Sequence, residues 1–419
     1  MSREMKHSGI PWIGEIPKEW KIMPHKRVMY KVKEIQEHYN GENILSLTMR
    51  GVIIRDLNAG GKMPTSFDGY QKVYPNNLLQ CLFDIDVTPR CVGLIKNEGL
   101  TSSAYSQFAM LSNGYAPYYD YLLRYMDDNK ILLHLSKNIR SSLTETDFGT
   151  IDTCAPPLSE QQKIASYLDR KCSEIDEMVV LQEKIIEELK AYKQSVITEA
   201  VTKGLNPDVP MKDSGIEWIG EIPENWEVKR LKNVFRLKTG TTPDGYDVIG
   251  EGDKISWFTP SDISDECNEL YGSERSLLKS AVGDVELFPL GSIMFVGIGA
   301  SAGKLGYAQI EGYSNQQITA LIPNGVNGKY FYYFLIADKR RLKDNAFFTT
   351  LPIINNGYLS QNRVICPPIS VQNEVVEYLD TKCSEIDSLI SIKQSKIESL
   401  KEYKKSIIYE YVTGKKEVE

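Results

Sequence analysis

One framework is written twice in this chain, and this internal repeat limits the possible folds more than any other feature of the sequence. The copies share three blocks of similar residues: WIGEIPKEW at 12–20 with WIGEIPENW at 218–226, YLDRKCSEID at 167–176 with YLDTKCSEID at 378–387, and YKQSVITEAVT at 192–202 with YKKSIIYEYVT at 403–413. The later two blocks recur after 211 residues and the first after 206, so the segment between them is longer in the second copy.

The first middle (residues 20–155) and the second middle (residues 226–366) lie between these blocks and show little similarity to each other. Weak echoes relate them, such as YYDYLLRYM at 118–126 and YFYYFLIAD at 330–338. Drift after a simple gene duplication would not spare the framework so selectively. The repeat therefore predicts one scaffold that presents two different surfaces.

Each copy closes with a segment that is predicted to be a long helix. Pro-Pro pairs at 156 and 367 end the preceding strand-like residues, because proline cannot donate to a β-ladder. Ser159 and Ser370 are predicted N-caps, and Gln162 completes a capping box in the first copy. An apolar stripe with alternating spacings of four and three residues follows, which is typical of a coiled coil. Its members include Leu168, Ile175, Val179, Gln182, Ile186 and Leu189 in the first copy, and Leu379, Ile386, Ile390, Lys393, Ile397 and Leu400 in the second.

The two stripes have matching spacing, so the sequence predicts that the helices pair antiparallel as a coiled coil and hold the middles apart. Polar residues interrupt the stripes at equivalent positions, Gln182 with Lys393 and Lys193 with Lys404. We expect these residues to set the register of the pair at some cost in stability.

Composition narrows the class of protein. With 419 residues, of which 42% are hydrophobic and 25% charged, the chain is long enough for several buried cores. It has no apolar run long enough to span a membrane, and its start, MSREMKHSGIPW, lacks the apolar stretch of a signal peptide. Its seven cysteines and four histidines form no closely spaced metal-ligand pairs. We therefore expect a cytoplasmic protein with reduced thiols and no metal site.

Two nucleotide-binding patterns overlap in residues 285–304, VELFPLGSIMFVGIGASAGK, and neither is complete. The residues from Gly297 onward fit GxGxxA, but no acidic residue lies about 20 positions later and no βαβ unit surrounds them. Gly303 and Lys304 lack the other residues of a P-loop. HExxH, GxSxG and EF-hand patterns are also absent from the sequence, so we expect no catalytic site in this chain.

The middles contain polar and aromatic loop segments of the kind that contact DNA bases and phosphates, although such segments are also common in ordinary turns. They are TMRG (48–51), GGKMPTS (60–66), VTPR (87–90) and LTSSAYSQF (100–108) in the first middle, and KTGTTPDGYD (238–247), ISWFTPSDI (255–263), GASAGK (299–304) and SNQQ (314–317) in the second. The net charge of −7 argues against strong unaided binding to nucleic acid. The first middle carries 15 basic and 14 acidic residues and the second carries 15 of each, so both are less acidic than the framework.

The GIxWIGEIPxxW opening of each copy, the PPLSEQQKIASYLD helix start and the duplicated framework around two divergent middles resemble the specificity subunits of type I restriction–modification systems. The resemblance covers essentially the whole chain. The second middle is similar to a typical target-recognition domain through KTGTTP, ISWFTPSDI and PLGSIMFVGIGASAGKLG. The first resembles another variety through YQKVYPNNLL (70–79) and VGLIKNEGLTSSAYSQF (92–108).

The resemblance implies an α+β fold with an internal pseudo-twofold repeat. Two mixed α/β target-recognition domains, residues 1–155 and 205–366 with their opening segments, would be separated by spacer helices at 156–204 and 367–419 that pack as an antiparallel coiled coil. Each domain would read one half of a bipartite, asymmetric site in double-stranded DNA.

The resemblance also implies partners. Two methyltransferase subunits would dock on the chain, and restriction–translocase subunits would complete the complex. S-adenosylmethionine, ATP and magnesium would bind those partners, whereas this chain would bind no cofactor and contact no membrane. Because the middles are not basic, we expect the partners to supply much of the contact to DNA phosphates and the chain alone to bind DNA weakly.

Candidate DNA contacts are the polar, basic and aromatic residues of the loop segments: Arg50, Lys62, Arg90, Ser103, Tyr105 and Gln107 in the first middle, and Thr241, Thr242, Ser261, Lys304, Asn315 and Gln316 in the second. The first middle has no equivalent of GASAGK, which weakens any transfer of family contacts onto it. Two other functions stay open. A coiled-coil scaffold without DNA readout would explain the negative charge directly, and a nucleotide-dependent enzyme would use the glycines of residues 297–303.

Overall fold

The computed structural model describes residues 3–59, 64–136, 141–243, 253–265, 269–344, 347–348 and 352–418. The chain divides into two compact units. Unit 1 comprises residues 1–183 and 394–419, and unit 2 comprises residues 184–393. Each unit contains one middle, the opening segment before it and part of both long helices. Among the described residues, no helix is both long and apolar enough to cross a membrane.

Unit 1 is a mixture of short strands and helices around an antiparallel sheet. Its strands are β1 (Met5–His7), β2 (Glu15–Pro17), β3 (Lys21–Pro24), β4 (Met29–Val32), β5 (Leu45–Thr48), β6 (Gly51–Ile54), β7 (Gln71–Val73), β8 (Leu78–Gln80), β9 (Val92–Leu94), β10 (Gly99–Thr101), β11 (Ser106–Met110) and β12 (Asp152–Ala155). Its helices are α1 (Ala116–Asp128), α2 (Ile131–Leu135), α3 (Glu145–Thr150) and the first part of α4 (Leu158–Lys203). The central sheet has the order β4-β11-β8-β9, and Leu78 and Phe108 from it join the aromatic helix α1 in one core.

Unit 2 has the same kind of architecture. Its strands are β13 (Met211–Asp213), β14 (Glu221–Pro223), β15 (Glu227–Arg230), β16 (Phe235–Thr239), β17 (Lys254–Phe258), β18 (Glu269–Leu270), β19 (Ser276–Leu278), β20 (Ile293–Val296), β21 (Leu305–Ala308), β22 (Gly312–Ser314), β23 (Ile318–Pro323), β24 (Phe347–Phe348), β25 (Pro352–Ile353) and β26 (Arg363–Cys366). Its helices are α5 (Gly328–Asp344), α6 (Asn356–Gln361), the end of α4 and the first part of α7 (Ile369–Val412). The larger sheet has the order β16-β23-β20-β21-β18, and a smaller one has the order β19-β17-β22.

Each middle has a central sheet of the same strand order, although the sequences of the two middles show little similarity. The order β4-β11-β8-β9 in unit 1 corresponds to β16-β23-β20-β21 in unit 2, and all these neighbours are antiparallel. The strands are short, and β8 and β20 are buried at every position. Strands buried on both faces lack the alternating pattern that identifies a strand in a sequence. Outside this sheet the middles differ, since unit 2 adds β18 and the separate sheet β19-β17-β22, whereas unit 1 has the pairs β10-β7 and β5-β6.

The opening segments explain why the first block recurs in both copies. Each forms a hairpin, β1-β2 or β13-β14, followed by a buried tryptophan, Trp20 or Trp226. The next strand, β3 or β15, pairs with β12 or β26, the strand that runs into the Pro-Pro pair. The opening segment is thus joined directly to the start of a long helix, whatever middle lies between them.

Helix α4 begins one residue before the predicted serine cap. The backbone N–H of Gln161 donates to the carbonyl oxygen of Pro157 (3.0 Å), which makes Pro157 the N-cap. Ser159 lies inside the first turn, so its predicted capping role and the capping box with Gln162 are wrong.

Helix α7 repeats this arrangement and shows its cause. Gln372 donates from its backbone to Pro368 (3.0 Å), and Ser370 lies inside the first turn, so this predicted cap is also wrong. The buried side chain of Gln372 donates to the carbonyl oxygen of Pro367 (2.8 Å) and accepts from the backbone N–H of Asn327 (2.8 Å). A buried glutamine, rather than a serine, therefore organises the polar groups at the helix start.

The stripe residues of the long helices face inward in each unit. Those that are buried are Leu168, Ile175, Ile397 and Leu400 in unit 1 and Ile186, Leu379, Ile386 and Ile390 in unit 2, whereas Val179, Gln182, Leu189 and Lys393 are partly buried. In unit 1 the Nζ atom of Lys404 lies 2.6 Å from the carboxylate of Asp176. In unit 2 Lys193 lies 2.7 Å from Asp387. In unit 1 the segments of α4 and α7 run antiparallel, because Tyr167 lies before Asp176 on α4 whereas its partner Tyr411, with ring centroids 4.4 Å apart, lies after Lys404 on α7.

Candidate nucleic-acid interface

Three loops of unit 2 meet at one end of its larger sheet. Strands β16 and β20 end where the strand between them, β23, begins, because β23 runs antiparallel to both. The loop segments that the sequence indicated, residues 240–243, 297–304 and 314–317, therefore come together at one edge.

Hydrogen bonds at this edge involve the candidates Thr242, Asn315 and Gln316, together with Gln317, which was not among the predicted contacts. Thr242 Oγ1 donates to Gln316 Oε1 (2.8 Å). Asn315 Nδ2 donates to Gln317 Oε1 (3.2 Å), and the backbone N–H of Gln317 donates to Asn315 Oδ1 (3.1 Å). Gln316 and Gln317 are exposed, as is Thr241 beside them. Thr242, Asn315, Gln316 and Gln317 form the amide edge, whose groups can both donate and accept hydrogen bonds.

The support behind the amide edge comes from a residue that sequence reasoning missed. Asn356, at the start of α6, donates from Nδ2 to Thr239 Oγ1 (2.7 Å) and accepts at Oδ1 from Thr319 Oγ1 (2.7 Å). It thereby ties the end of β16 to the start of β23. Gly240 follows, and a Cβ there would lie 2.2 Å from Ser314 Oγ, so only glycine permits this approach. Asn356 lies far from the other segments in sequence and belongs to no motif, so only the folded chain identifies it.

The glycine-rich segment from Gly297 to Gly303 is a turn between the antiparallel strands β20 and β21. Dinucleotide loops and P-loops instead lead into a helix whose N-terminus binds phosphate. Gly299 has φ +99°, and a Cβ on it would lie 3.5 Å from Gln317 Nε2. The turn therefore packs beside the amide edge, and its geometry is not that of a nucleotide-binding loop.

The remaining candidates of unit 2 lie beside this edge. Ser261 is exposed in the turn that follows β17, a strand of the smaller sheet. Its hydroxyl lies 2.8 Å from that of Thr259. Lys304 follows the glycine-rich turn, and its Nζ atom lies 3.5 Å from Asp265 Oδ2.

The corresponding edge of unit 1 is aromatic. Ser103 and Tyr105 precede β11 at the positions that Asn315 and Gln317 occupy before β23. The ring of Tyr105 stacks on that of Phe83, in the loop after β8, with centroids 6.1 Å apart. Phe83 and Ser103 are exposed, and partial burial raises the pKa of Tyr105. Phe83, Ser103 and Tyr105 form the aromatic edge, which faces solvent at the same place in the fold as the amide edge.

Two candidates of unit 1 are engaged inside the protein. Gln107 is fully buried, where Oε1 accepts from the backbone of Tyr74 (2.8 Å) and Nε2 donates to the carbonyl oxygen of Lys72 (3.0 Å). Arg90 lies against the end of α1 and donates to Asp128 Oδ1 (2.8 Å). Gln107 thus holds β7 against β11 rather than facing a ligand. Arg90 anchors the loop after β8 to α1.

One further candidate of unit 1 lies in the turn of a hairpin. Arg50 is exposed at the tip of the β5–β6 hairpin, where its backbone N–H donates to Thr48 Oγ1 (3.1 Å). Met49 beside it is also exposed. Lys62 lies outside the described residues.

Comparison with known proteins finds one family. Residues 223–415 match the family described as type I restriction modification DNA specificity domain. The chain is 26% identical over 321 residues to a Methanocaldococcus jannaschii protein described as the specificity subunit of type I restriction enzyme MjaX, covering 72% of this chain and 69% of that protein. It is 29% identical over 284 residues to the MjaVIII specificity subunit of the same organism, covering 64% of this chain and 63% of that one.

Two solved structures share the fold. One is a chain from a study of complex assembly and conformational transition of the type I R-M system, with a TM-score of 0.75, 15% identity, and coverage of 95% of this chain and 98% of that chain. The other is the HsdS subunit from Thermoanaerobacter tengcongensis, with a TM-score of 0.57, 16% identity and the same coverage.

Proposed function

We propose that this chain, which belongs to the specificity subunits of type I restriction–modification systems, reads a bipartite, asymmetric DNA site with one middle on each half. One observation carries the proposal. Each unit has an equivalent central sheet, and the equivalent edge of that sheet bears amide and hydroxyl groups in unit 2 and aromatic groups in unit 1. Equivalent surfaces with different chemistry suit two different half-sites.

The amide edge has the chemistry for direct readout in unit 2. Asparagine and glutamine side chains can bond two atoms of one base at once, and adenine presents a matching donor and acceptor in the major groove. The bonds from Thr242 to Gln316 and from Asn315 to Gln317 hold these amides in defined orientations before DNA arrives. Such preorganisation reduces the entropy lost on binding.

The long helices would act as a spacer between the two readers. An antiparallel coiled coil of α4 and α7 would set the distance between the half-sites, and Gln182, Lys193, Lys393 and Lys404 would fix its register. The ion pairs of Lys404 with Asp176 and Lys193 with Asp387 support this role, because a slip along the helix would break them.

The chemistry of modification and cleavage would belong to partners. In this proposal the chain carries no catalytic site and works in the cytoplasm. Two methyltransferase subunits bind S-adenosylmethionine, and restriction–translocase subunits use ATP and magnesium. The net charge of −7 supports the further proposal that these partners provide much of the contact to DNA phosphates.

A methylation map tests the function. The chain would be expressed with a methyltransferase subunit encoded beside it in a host that lacks other DNA methylation, and modified bases would be located by long-read sequencing. We expect methyladenine at one split, asymmetric motif. Exchange of residues 226–366 for the second middle of a related chain should change one half of that motif and leave the other half and the spacing intact.

The same experiment tests the second candidate, a protein-interaction scaffold without DNA readout. That function is favoured by the acidic framework alone. A stable and active complex that methylates no defined motif would support the scaffold and contradict the proposed function.

A further inference from the structure

Lysines from two parts of unit 2 converge on one carboxylate beside the glycine-rich turn. The Nζ atoms of Lys304 and Lys343 lie 3.5 and 3.8 Å from the carboxylate of Asp265. Lys339, one turn before Lys343 on α5, lies 3.6 Å from the same carboxylate and also donates to the backbone carbonyl oxygen of Asp265 (2.7 Å). These four residues form the lysine cluster.

The lysine cluster differs from a structural ion pair of the same helix. Lys329 on α5 binds two carboxylates, Glu269 (2.5 Å) and Asp380 (2.8 Å), and its side chain is largely buried. In the lysine cluster the ratio of lysines to carboxylates is reversed, because Lys304 and Lys343 share Asp265 as their ion-pair partner among the described residues. Two ammonium groups at longer distances around one exposed carboxylate leave positive charge available to a second anion.

The lysine cluster is also next to the amide edge. The glycine-rich turn contacts both: Gly299 lies against Gln317 of the amide edge, and Gly303 lies against Lys343. A Cβ on Gly303 would lie 2.7 Å from Lys343 Cγ, so the absence of a side chain there lets the lysine pack on the turn. One short loop thus places groups suited to base edges beside groups suited to phosphates, the two kinds of contact that a DNA reader combines.

We propose that Lys304 and Lys343 bind a phosphate of the DNA backbone, and that Asp265 occupies the phosphate position while DNA is absent. Lys339 is a positioning residue, which holds the backbone of Asp265 in place. This inference rests on the proposed function and adds to it a phosphate contact made by the specificity chain itself. A resident carboxylate would weaken binding to all sequences alike, since every duplex has to displace it.

The test measures binding of the full chain to a short duplex of scrambled sequence, by fluorescence anisotropy, between about 50 and 200 mM salt. The variant is Lys304→Met with Lys343→Met, which keeps most of the length of both side chains and removes their charge. We expect the slope of log K against log salt to fall in magnitude by about 0.9 for each phosphate that the variant no longer neutralises. Asp265→Asn should do the opposite and strengthen binding to any duplex.

Arg340→Met is the matched control, because Arg340 lies on the same helix, is almost fully exposed and lies outside the cluster. An equal loss of slope in the control and in the lysine variant would overturn the proposal, since the effect would then reflect general charge. Unchanged binding by the lysine variant, with thermal unfolding like the wild type, would also overturn it. If that variant lost affinity only for inorganic phosphate, the site would take a free anion and the DNA assignment would fail. If the wild-type chain bound no duplex even at the lowest salt, the phosphate contact proposed for this chain would be overturned, whereas the proposed function would still be decided by the methylation map.

Discussion

Buried polar side chains determine the local geometry of both copies at the scale of single residues. Gln161 accepts from the backbone N–H of Tyr115 (2.8 Å) and donates to the carbonyl oxygens of Asn113 and Pro156 (both 2.9 Å). It thereby joins the start of α4 to the start of α1. Sequence reasoning placed the cap on the neighbouring serine and Gln162, because a capping pattern records which residues are polar and not which one is buried.

Gln161→Ala should lower the free energy of unfolding by about 1–3 kcal/mol, because the buried backbone groups that it satisfies would lose their partners. Urea denaturation of the full chain measures this. Gln162→Ala is the matched control, since Gln162 is exposed on the adjacent position and should change stability little. Equal effects of the two substitutions would contradict the assignment of the cap.

His25 makes the stability of unit 1 sensitive to acid. Its ring is fully buried against Phe148, and Nδ1 lies 3.2 Å from the Phe148 carbonyl oxygen. Burial lowers the pKa of His25 to about 4. Because the unfolded chain takes up this proton at higher pH than the folded chain, stability should fall as pH decreases from about 6.5 to about 4, by up to about 3 kcal/mol.

His25→Leu isolates this effect, since the second copy has Leu231 at the equivalent position, also buried. The variant should show a smaller loss of stability between pH 6.5 and 4 than the wild type, measured as the difference between their urea midpoints. An identical pH dependence in both proteins would show that His25 does not cause the acid sensitivity.

At the scale of elements, the sequence predicted those helices whose apolar residues are regularly spaced. The spacing of the stripe predicted long helices, and α4 and α7 span Leu158–Lys203 and Ile369–Val412. The central sheets of the middles were not recognised as equivalent, because their strands are short and two of them, β8 and β20, are buried at every position. The approach of the amide-edge loops depends on antiparallel neighbours in those sheets. The sequence therefore named Thr242, Asn315 and Gln316 as candidates without bringing them together, and it did not name Gln317 or Asn356.

The ends of the long helices show how the opening segments are held. Gly414 after α7 has φ +72°, and a Cβ there would lie 2.4 Å from Pro17 and 2.9 Å from Trp20. Gly204 after α4 has φ +79° and lies against Trp226. In each unit a glycine in the left-handed region lets the opening segment pack on a helix end.

Gly414→Ala should destabilise unit 1 by about 2–4 kcal/mol, through left-handed strain and overlap with Pro17 and Trp20. Gly9→Ala is the control, because Gly9 has φ +80° and no atom lies within 4 Å of the position that its Cβ would take. The control should therefore cost only about 1–2 kcal/mol, from strain alone. Thermal unfolding compares them. If both variants lost the same stability, the packing against the opening segment would contribute nothing.

At the scale of the whole molecule, the two units differ in how the chain builds them. Unit 2 is one continuous stretch, and its main core runs from Val196 to Cys383. Unit 1 needs the distant segment 394–419, whose Tyr411 and Val412 are buried in its core and whose Val412 carbonyl oxygen accepts from Tyr118 (2.7 Å).

A fragment of residues 184–393 should therefore unfold cooperatively on its own, whereas a fragment of residues 1–183 should not. Adding a peptide of residues 394–418 to the shorter fragment should restore cooperative unfolding, followed by circular dichroism. A peptide of the same composition in scrambled order serves as control. Cooperative unfolding of residues 1–183 alone would contradict the division of the core.

The two ion pairs between the long helices are made by equivalent residues of the two copies. Asp176 and Lys193 belong to the first copy, and Asp387 and Lys404 are their counterparts 211 residues later. Each aspartate binds the lysine of the other copy, as happens across an isologous contact between identical subunits. A chain with only one copy would carry both the aspartate and the lysine, so two such chains could form the ion pair twice. The duplicated protein therefore has the contacts of a homodimer within one polypeptide.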